Sequence, residues 1–226
     1  MRLHWRLLLR PPRSWRHLRL RHARHRAALQ PATGDVEAAL VLRDNLRYRK
    51  SIEAAYLHGI EQAQHTIIIA NAYFLPGHKL RHALIAAAKR GVAVKLLLQG
   101  KIEYRMQYHA TRWIYDQFLQ AGIEIYEYLP SFLHAKVAVL DELATVGSSN
   151  LDPFSLLLAR EANVLIDDQA FTQTLRQSLE AAMTRGSRVI EHSLYARRPV
   201  LARLTDALAY MLLRLGVALT GRGADY

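Results

Sequence analysis

Cysteine is absent from the 226-residue chain. That excludes disulfides, Cys-ligated zinc and thiol catalysis, and it fits a reducing compartment. Long apolar runs are also missing. Leu7-Leu8-Leu9 is too short for a signal-peptide core and is interrupted by arginines on both sides, and no other segment reads as a clean membrane span. Acid is missing from residues 1–30, which hold nine arginines. Of the 31 Lys and Arg side chains this leaves 22 against 19 Asp and Glu in the rest. The formal net charge of +12 is therefore mostly that of an N-terminal arm. Such an arm attracts anionic lipid head groups or nucleic acid alike. It reads as a poorly ordered basic extension, a better fit than an organellar presequence, because Ser14 is its only serine. No internal repeat is visible.

What remains can support a folded domain. Hydrophobic residues make up 51% of the chain, which argues against wholesale disorder. Residues 31–35 break the periodicity with Pro, Gly and Asp and read as a linker. From there strands and helices alternate: a strand at 36–42, a helix at 47–64, a strand at 66–74 closed by Pro76-Gly77, a helix at 78–90 ended by Gly91, a strand at 92–98, a helix at 107–120 and a strand at 123–128. That rhythm predicts an α/β domain whose sheet is largely parallel and covered by helices. The rhythm then changes. Strands at 134–141, 145–149 and 161–166 leave no room for crossover helices before 150, so antiparallel hairpins and a mixed β-sheet are expected. A helix at 168–184 closes a unit spanning 36–185. Residues 186–226 read as a linker and an amphipathic helix. From Val200 to Leu219 the residues Arg203, Asp206, Tyr210 and Arg214 fall on one face and Leu, Ala, Val and Met cover the rest. Such a helix suits a membrane interface, a partner or its own domain.

The chemistry gathers between His134 and Asn150. His134 and Lys136 are two apart in an apolar strand, so they point together while Val137 and Val139 point the other way, into a core. Ser148 and Asn150 repeat the spacing at the end of the next strand. An imidazole, an ammonium, a hydroxyl and an amide would thus leave one sheet edge together. That set suits attack on a phosphodiester: one nucleophile or acid, one fixed cation, two neutral donors for the phosphoryl oxygens. Asn71, at the end of a strand, is either a pocket residue or a structural cap. Tyr73 reads as core packing, Arg43 as the partner of Asp44 or another acid, and His58 and His82 as surface residues.

H-x-K-x4-D followed by G-S-x-N resembles the phospholipase D superfamily. Across 36–184 the segments V-L-R-D-N, I-I-A-N-A-Y-F-L-P-G, R-G-V-A-V-K-L-L-L-Q-G, L-H-A-K-V-A-V-L-D and T-V-G-S-S-N-L-D-P-F-S-L are similar to the C-terminal half of bacterial cardiolipin synthases, above all the B type. The resemblance implies a phospholipase D-like domain in which His134 is a phosphohistidine nucleophile or its general-acid partner. Lys136 and Asn150 would bind phosphate with Ser148 beside them, and Asp141 would complete the motif in a structural role. Glu161 would be the carboxylate that orients the histidine, as the chemistry asks.

The resemblance also marks a departure. Such enzymes carry two motifs and this chain has one H-x-K: His65, His78 and His109 have no lysine two residues on. The expected partner is a second copy in a homodimer, in which His134 serves both roles, or a complementary first-half chain. The chain is otherwise an inactive membrane-associated fragment.

The implied activity is phosphatidyl transfer that makes cardiolipin from phosphatidylglycerol through a phosphohistidine. It needs no metal and no cofactor, because lysine supplies the charge. The implied setting is an anionic membrane surface, peripherally on the cytoplasmic face of a bacterial inner membrane. The competing reading is a homodimeric endonuclease using the same residues, with nucleic acid gripped by the basic arm.

Overall fold

The computed structural model describes residues 36–219, so the basic arm lies outside the described residues. The alternation read from the sequence becomes β1 (Glu37–Arg43), α1 (Ser51–Gln62), β2 (Thr66–Asn71), α2 (His78–Lys89), β3 (Ala93–Gln99), α3 (Arg105–Trp113), α4 (Tyr115–Gln120) and β4 (Glu124–Tyr128). The hairpin half follows as β5 (Lys136–Leu140), β6 (Leu143–Gly147), β7 (Glu161–Asp167) and the closing α5 (Gln169–Thr184). With a short β8 (Ser187–Val189), one eight-stranded mixed sheet results, in the order β1-β7-β6-β5-β2-β3-β4-β8. The β2, β3 and β4 pairings are parallel, and β5, β6, β7 and β1 are antiparallel to their neighbours.

Both faces of the sheet are covered. Ile67, Ile69, Ala138 and Leu140 join the larger core with Ile52 and Ile60 of α1, Leu80 and Leu84 of α2 and Phe118 of α4. Ile68, Ala70, Leu97 and Val139 face the other way, onto Leu179 and Met183 of α5. Val137 and Val139 therefore face the smaller core, while the strand face that begins with Lys136 leads into the larger one. Double burial is why these strands read as continuous apolar runs rather than alternating ones.

Most boundaries shift by a few residues, which leaves His134 just before β5, and three differences go further. The 66–74 strand stops at Asn71, since the chain bends there, and touches the sheet again only as a Phe74–Leu151 bridge. The 107–120 helix breaks at Ile114, the hinge between α3 and α4. The sheet also extends past residue 185: β8 (Ser187–Val189) adds to β4, and α6 (His192–Ala196) and α7 (Val200–Val217) pack back onto the unit. Polar groups fix that return. Glu127 of β4 is fully buried and takes Arg112 of α3 at 2.6 Å and Arg188 of β8. Buried Asp206 of α7 takes His109 Nδ1 of α3 at 2.8 Å and Arg198 at 2.6 Å. No helix among the described residues is long and apolar enough to cross a membrane.

Candidate active site

The strand register decides which residues meet. Asn71 ends β2 directly opposite Lys136, the first residue of β5. Gly147 ends β6 opposite Asn163 of β7, and Arg43 ends β1 opposite Glu161, the first residue of β7. All of these termini lie on one edge of the sheet. That edge includes the carboxyl ends of the parallel strands β2 and β3, where open α/β sheets hold ligands.

His134 is exposed, in the segment just before β5. This segment is pinned on two sides: Leu133 N–H donates to Gln99 Oε1 at 2.9 Å, and Ala72 N–H donates to Ala135 O at 3.0 Å. Lys136 is buried, and its Nζ donates to the His134 carbonyl at 3.1 Å. Burial lowers the ammonium below its usual range, and Glu161, Asp152 and Glu103 offset part of that. The ammonium thus feels the field of three carboxylates while, among the described residues, its one side-chain bond goes to a backbone carbonyl.

The β6 exit places the next two groups. Ser148 N–H donates to Ala162 O at 3.0 Å, Ala162 N–H donates to Ser148 Oγ at 3.1 Å, and the Ser148 hydroxyl donates to Glu161 Oε2. The strands can come this close because residue 147 is glycine. A Cβ there would lie 2.2 Å from Asn163 Oδ1 and 2.6 Å from the Ala162 carbonyl. Asn150 is buried and its Oδ1 accepts from Tyr73 N–H at 3.3 Å. Among the described residues nothing accepts from its Nδ2, which leaves the amide free to donate to a substrate oxygen. Asn71 is fully buried. Its Oδ1 accepts from Leu151 N–H at 3.1 Å and its Nδ2 has no acceptor. It is a cap for the chain after Asn150 and also a second unclaimed donor beside Lys136.

His134, Lys136, Ser148, Asn150, Glu161 and Asn71 therefore share one edge. Asp141 does not join them. It lies at the far end of β5, at φ 54°, and its carboxylate accepts from the backbone N–H of Gln64, His65 and Thr66 at 2.6, 3.0 and 2.7 Å. It anchors the start of β2. The Glu161 carboxylate, expected on the histidine, is engaged with Ser148.

Three further residues of this edge, Arg43, Asp152 and Tyr73, lie outside the motif. Arg43 is buried and donates to the carbonyls of Leu156 and Ala159, fastening the π-helical turn Phe154–Leu158 that follows Asn150. Asp152 accepts from Ser155 N–H at 2.7 Å and from Gln107 Nε2 at 3.0 Å. Burial raises its carboxyl above the usual range, these two bonds lower it, and Glu161 raises it further. Its signal was the placement of an acid two residues beyond Asn150 and three before Ser155, the spacing of a backbone cap. Tyr73 is not plain core packing: its hydroxyl donates to Glu103 Oε2 at 2.6 Å, and burial together with that bond raises the phenol. Tyr73, Glu103, Tyr104, Gln107 and Lys101 line a crevice that opens beside this edge. The ensemble offers one exposed imidazole, one buried ammonium and two amide donors, a set suited to holding the equatorial oxygens of a phosphoryl group under attack.

Comparison with known proteins gives the family and the fold. A family model described as "Cardiolipin synthase, PLD-like domain" matches residues 56–183. Cardiolipin synthase B of Salmonella typhi is 41% identical over 214 residues, 93% of this chain and 50% of that protein. The chain thus spans about half the length of the curated relatives it matches. Among solved structures, phosphatidylserine synthase of Haemophilus influenzae aligns with a TM-score of 0.63 at 15% identity, over 83% of this chain and 48% of that one. The phospholipase D family member Nuc of Salmonella typhimurium aligns with a TM-score of 0.59 at 20% identity, over 70% of this chain and 99% of that one. At such identities both speak for the fold alone. The family match covers more than half of the chain, and the chain belongs to the PLD-like domain family of cardiolipin synthase.

Proposed function

We propose that this chain supplies one half of a phosphatidyltransferase active site that makes cardiolipin from phosphatidylglycerol. The observation that carries the reading is the convergence of exposed His134 with buried Lys136 and the unclaimed Asn150 amide at one sheet edge. The likeness to cardiolipin synthase B over 93% of the chain supports the choice of lipid. Neutral imidazole attacks the phosphorus of one phosphatidylglycerol, the P–O bond to glycerol breaks, and the departing oxygen takes a proton from a second histidine. Lys136, Asn150 and Asn71 hold the non-bridging oxygens as charge accumulates. The hydroxyl of a second phosphatidylglycerol then attacks the phosphohistidine, returns its proton to the second histidine and leaves as cardiolipin. Exclusion of water favours transfer over hydrolysis. Ser148 and Glu161 position the edge of the site.

The second histidine comes from outside the chain, from a second copy or from a complementary first half. Exposed Leu46, Ile102, Tyr104, Met106, Phe132 and Phe154 surround the same edge and support a covering partner there. The protein works peripherally at the cytoplasmic face of a bacterial inner membrane.

The test incubates the purified chain with phosphatidylglycerol vesicles and measures cardiolipin by mass spectrometry, beside His134→Ala. Product from the wild type and none from the variant is expected. No product from a verified dimer would sink the homodimeric form, and no product after a first-half chain is added as well would sink the reading. Plasmid cleavage that disappears in His134→Ala would replace it with the nuclease.

A further inference from the structure

Helix α7 is apolar on its outward side as well as on the side that packs against the core. Asp206, Ala209, Leu213 and Val217 face inward, while Leu201, Leu204, Leu208, Met211, Leu212 and Leu215 are each more than half exposed. A helix on a water-soluble surface normally turns its apolar stripe to the core. The one acid of α7, Asp206, is buried and held by His109 and Arg198. The exposed face therefore carries no negative charge.

At the C-terminal half of this face α7 meets the first turns of α2. Arg81 of α2 is only 7% exposed. Its guanidinium lies 5.9 Å from the ring centre of Tyr210 of α7, and its Nε is buried without an acceptor. Among the described residues no carboxylate or carbonyl accepts from it. A buried N–H without an acceptor is costly, and a bound anion would relieve that cost. The His78 and His82 rings stand 3.8 Å apart beside it. Arg214 lies one helical turn beyond Tyr210 on α7, on the side that Tyr210 turns to Arg81. The charge of His82, partial desolvation and the charges of Arg81 and Arg214 together depress His78. The N-terminus of α2 has no side-chain cap and no acid in its first turn, so its N–H groups add positive potential at the same place.

We propose that Arg81, Arg214, His78 and His82 form a binding site for the phosphate of an acidic phospholipid, which seats the apolar face of α7 in the bilayer. The choice of a lipid surface rests on the phosphatidyltransferase reading. The N-terminal arm is a poor alternative occupant, because its nine arginines and lack of acid in residues 1–30 repel this cluster. A second copy stacked through α7 would bring no exposed carboxylate from that helix. His78 follows directly on the turn after β2, the strand that ends at Asn71, so a lipid held here lies beside the catalytic edge.

The full chain is sedimented with phosphatidylcholine vesicles with and without phosphatidylglycerol. Arg203→Gln, an exposed charge on α7, serves as the control for diffuse attraction and should cost about fivefold in affinity. Arg214→Gln, the double variant His78→Gln/His82→Gln, and Arg81→Met, which keeps an aliphatic stem over Tyr210, should each cost tenfold or more on the anionic vesicles only. Leu208→Glu/Leu212→Glu should abolish vesicle binding while inorganic phosphate still shifts the ring resonances of His78 and His82 by NMR. Losses no larger than that of Arg203→Gln overturn the site. Phosphate binding with unchanged vesicle affinity in the cluster variants overturns the lipid and leaves a site for soluble phosphate. If Arg81→Met does not fold, Arg214→Gln and the exposed histidine pair carry the test. His134→Ala should bind vesicles like the wild type. A wild type that binds anionic vesicles but forms no cardiolipin counts against the transferase alone, and a wild type that forms cardiolipin in detergent but does not bind anionic vesicles counts against this site alone.

Discussion

Lys136 places a charge at a strand end where burial opposes it, and three carboxylates keep it there. Burial lowers its ammonium, while Glu161, Asp152 and Glu103 raise it. The sign of a test follows. A base whose pKa is lowered gives up its proton at a lower pH, and removing a neighbouring carboxylate lowers it further. In Glu161→Gln the alkaline limb of kcat/KM should therefore move to lower pH, read from the pH profile of cardiolipin formation. An unmoved limb would mean that Lys136 is not the group whose charge the reaction needs. Asn71 gives a stability test. Asn71→Ala removes the acceptor of Leu151 N–H in a fully buried place and should cost about 1–3 kcal/mol in a urea melt. His134, Lys136, Ser148 and Asn150 were legible in the sequence as pairs spaced by two at neighbouring strand ends, although only Lys136 lies within a strand: His134 precedes β5, and Ser148 and Asn150 follow β6. Asp152 and Gln107 were not, because their contact joins a turn to a helix start 45 residues away and follows no local period.

At the scale of elements, hydrophobic periodicity carried the strand–helix alternation and the short links carried the antiparallel turn-round. The break at Ile114 was illegible because the apolar period runs straight through it and Ile114 itself is fully buried. Strand β8 and helix α6 are too short to show a period. The seating of α7 was also hidden: its polar stripe is plain in the sequence, but of that stripe only Asp206 is buried, held by His109 and Arg198, while Arg203 stays exposed. Two substitutions test these joints. Gly147→Ala would press a Cβ onto the Asn163 side chain and the Ala162 carbonyl. It should part β6 from β7, move Ser148 off Glu161, and lower activity by about tenfold or more with a loss of about 1–3 kcal/mol, the usual cost of overpacking. Asp206→Ala leaves Arg198 and His109 without their acceptor. The loss should be about 3 kcal/mol, the low end for a broken buried pair, because both partners keep some access to water. Tryptic cleavage at Arg203 before the sheet melts would show α7 leaving first, and a single joint transition would make it part of the same cooperative unit.

For the molecule as a whole the decisive quantity is how many copies of His134 one turnover uses. The chain holds one H-x-K and spans about half of its curated relatives, while the edge that bears His134 is ringed by exposed apolar side chains. A two-fold axis through that edge would bring the second histidine from an identical surface, as an isologous interface requires. Wild type and His134→Ala, mixed in equal amounts and allowed to exchange, separate the possibilities. If one shared site needs both histidines, only the homodimer of wild-type chains works, and activity falls to about one quarter of the unmixed wild type. If each chain turns over with its own His134, activity falls to about one half. A wild type that is inactive alone and gains activity only with a separate first-half chain would assign the second histidine to that chain. Dilution adds an independent reading: a shared site loses activity per chain as the dimer dissociates, with the two histidines parting before either fold is lost, whereas a self-sufficient chain keeps its specific activity at every concentration.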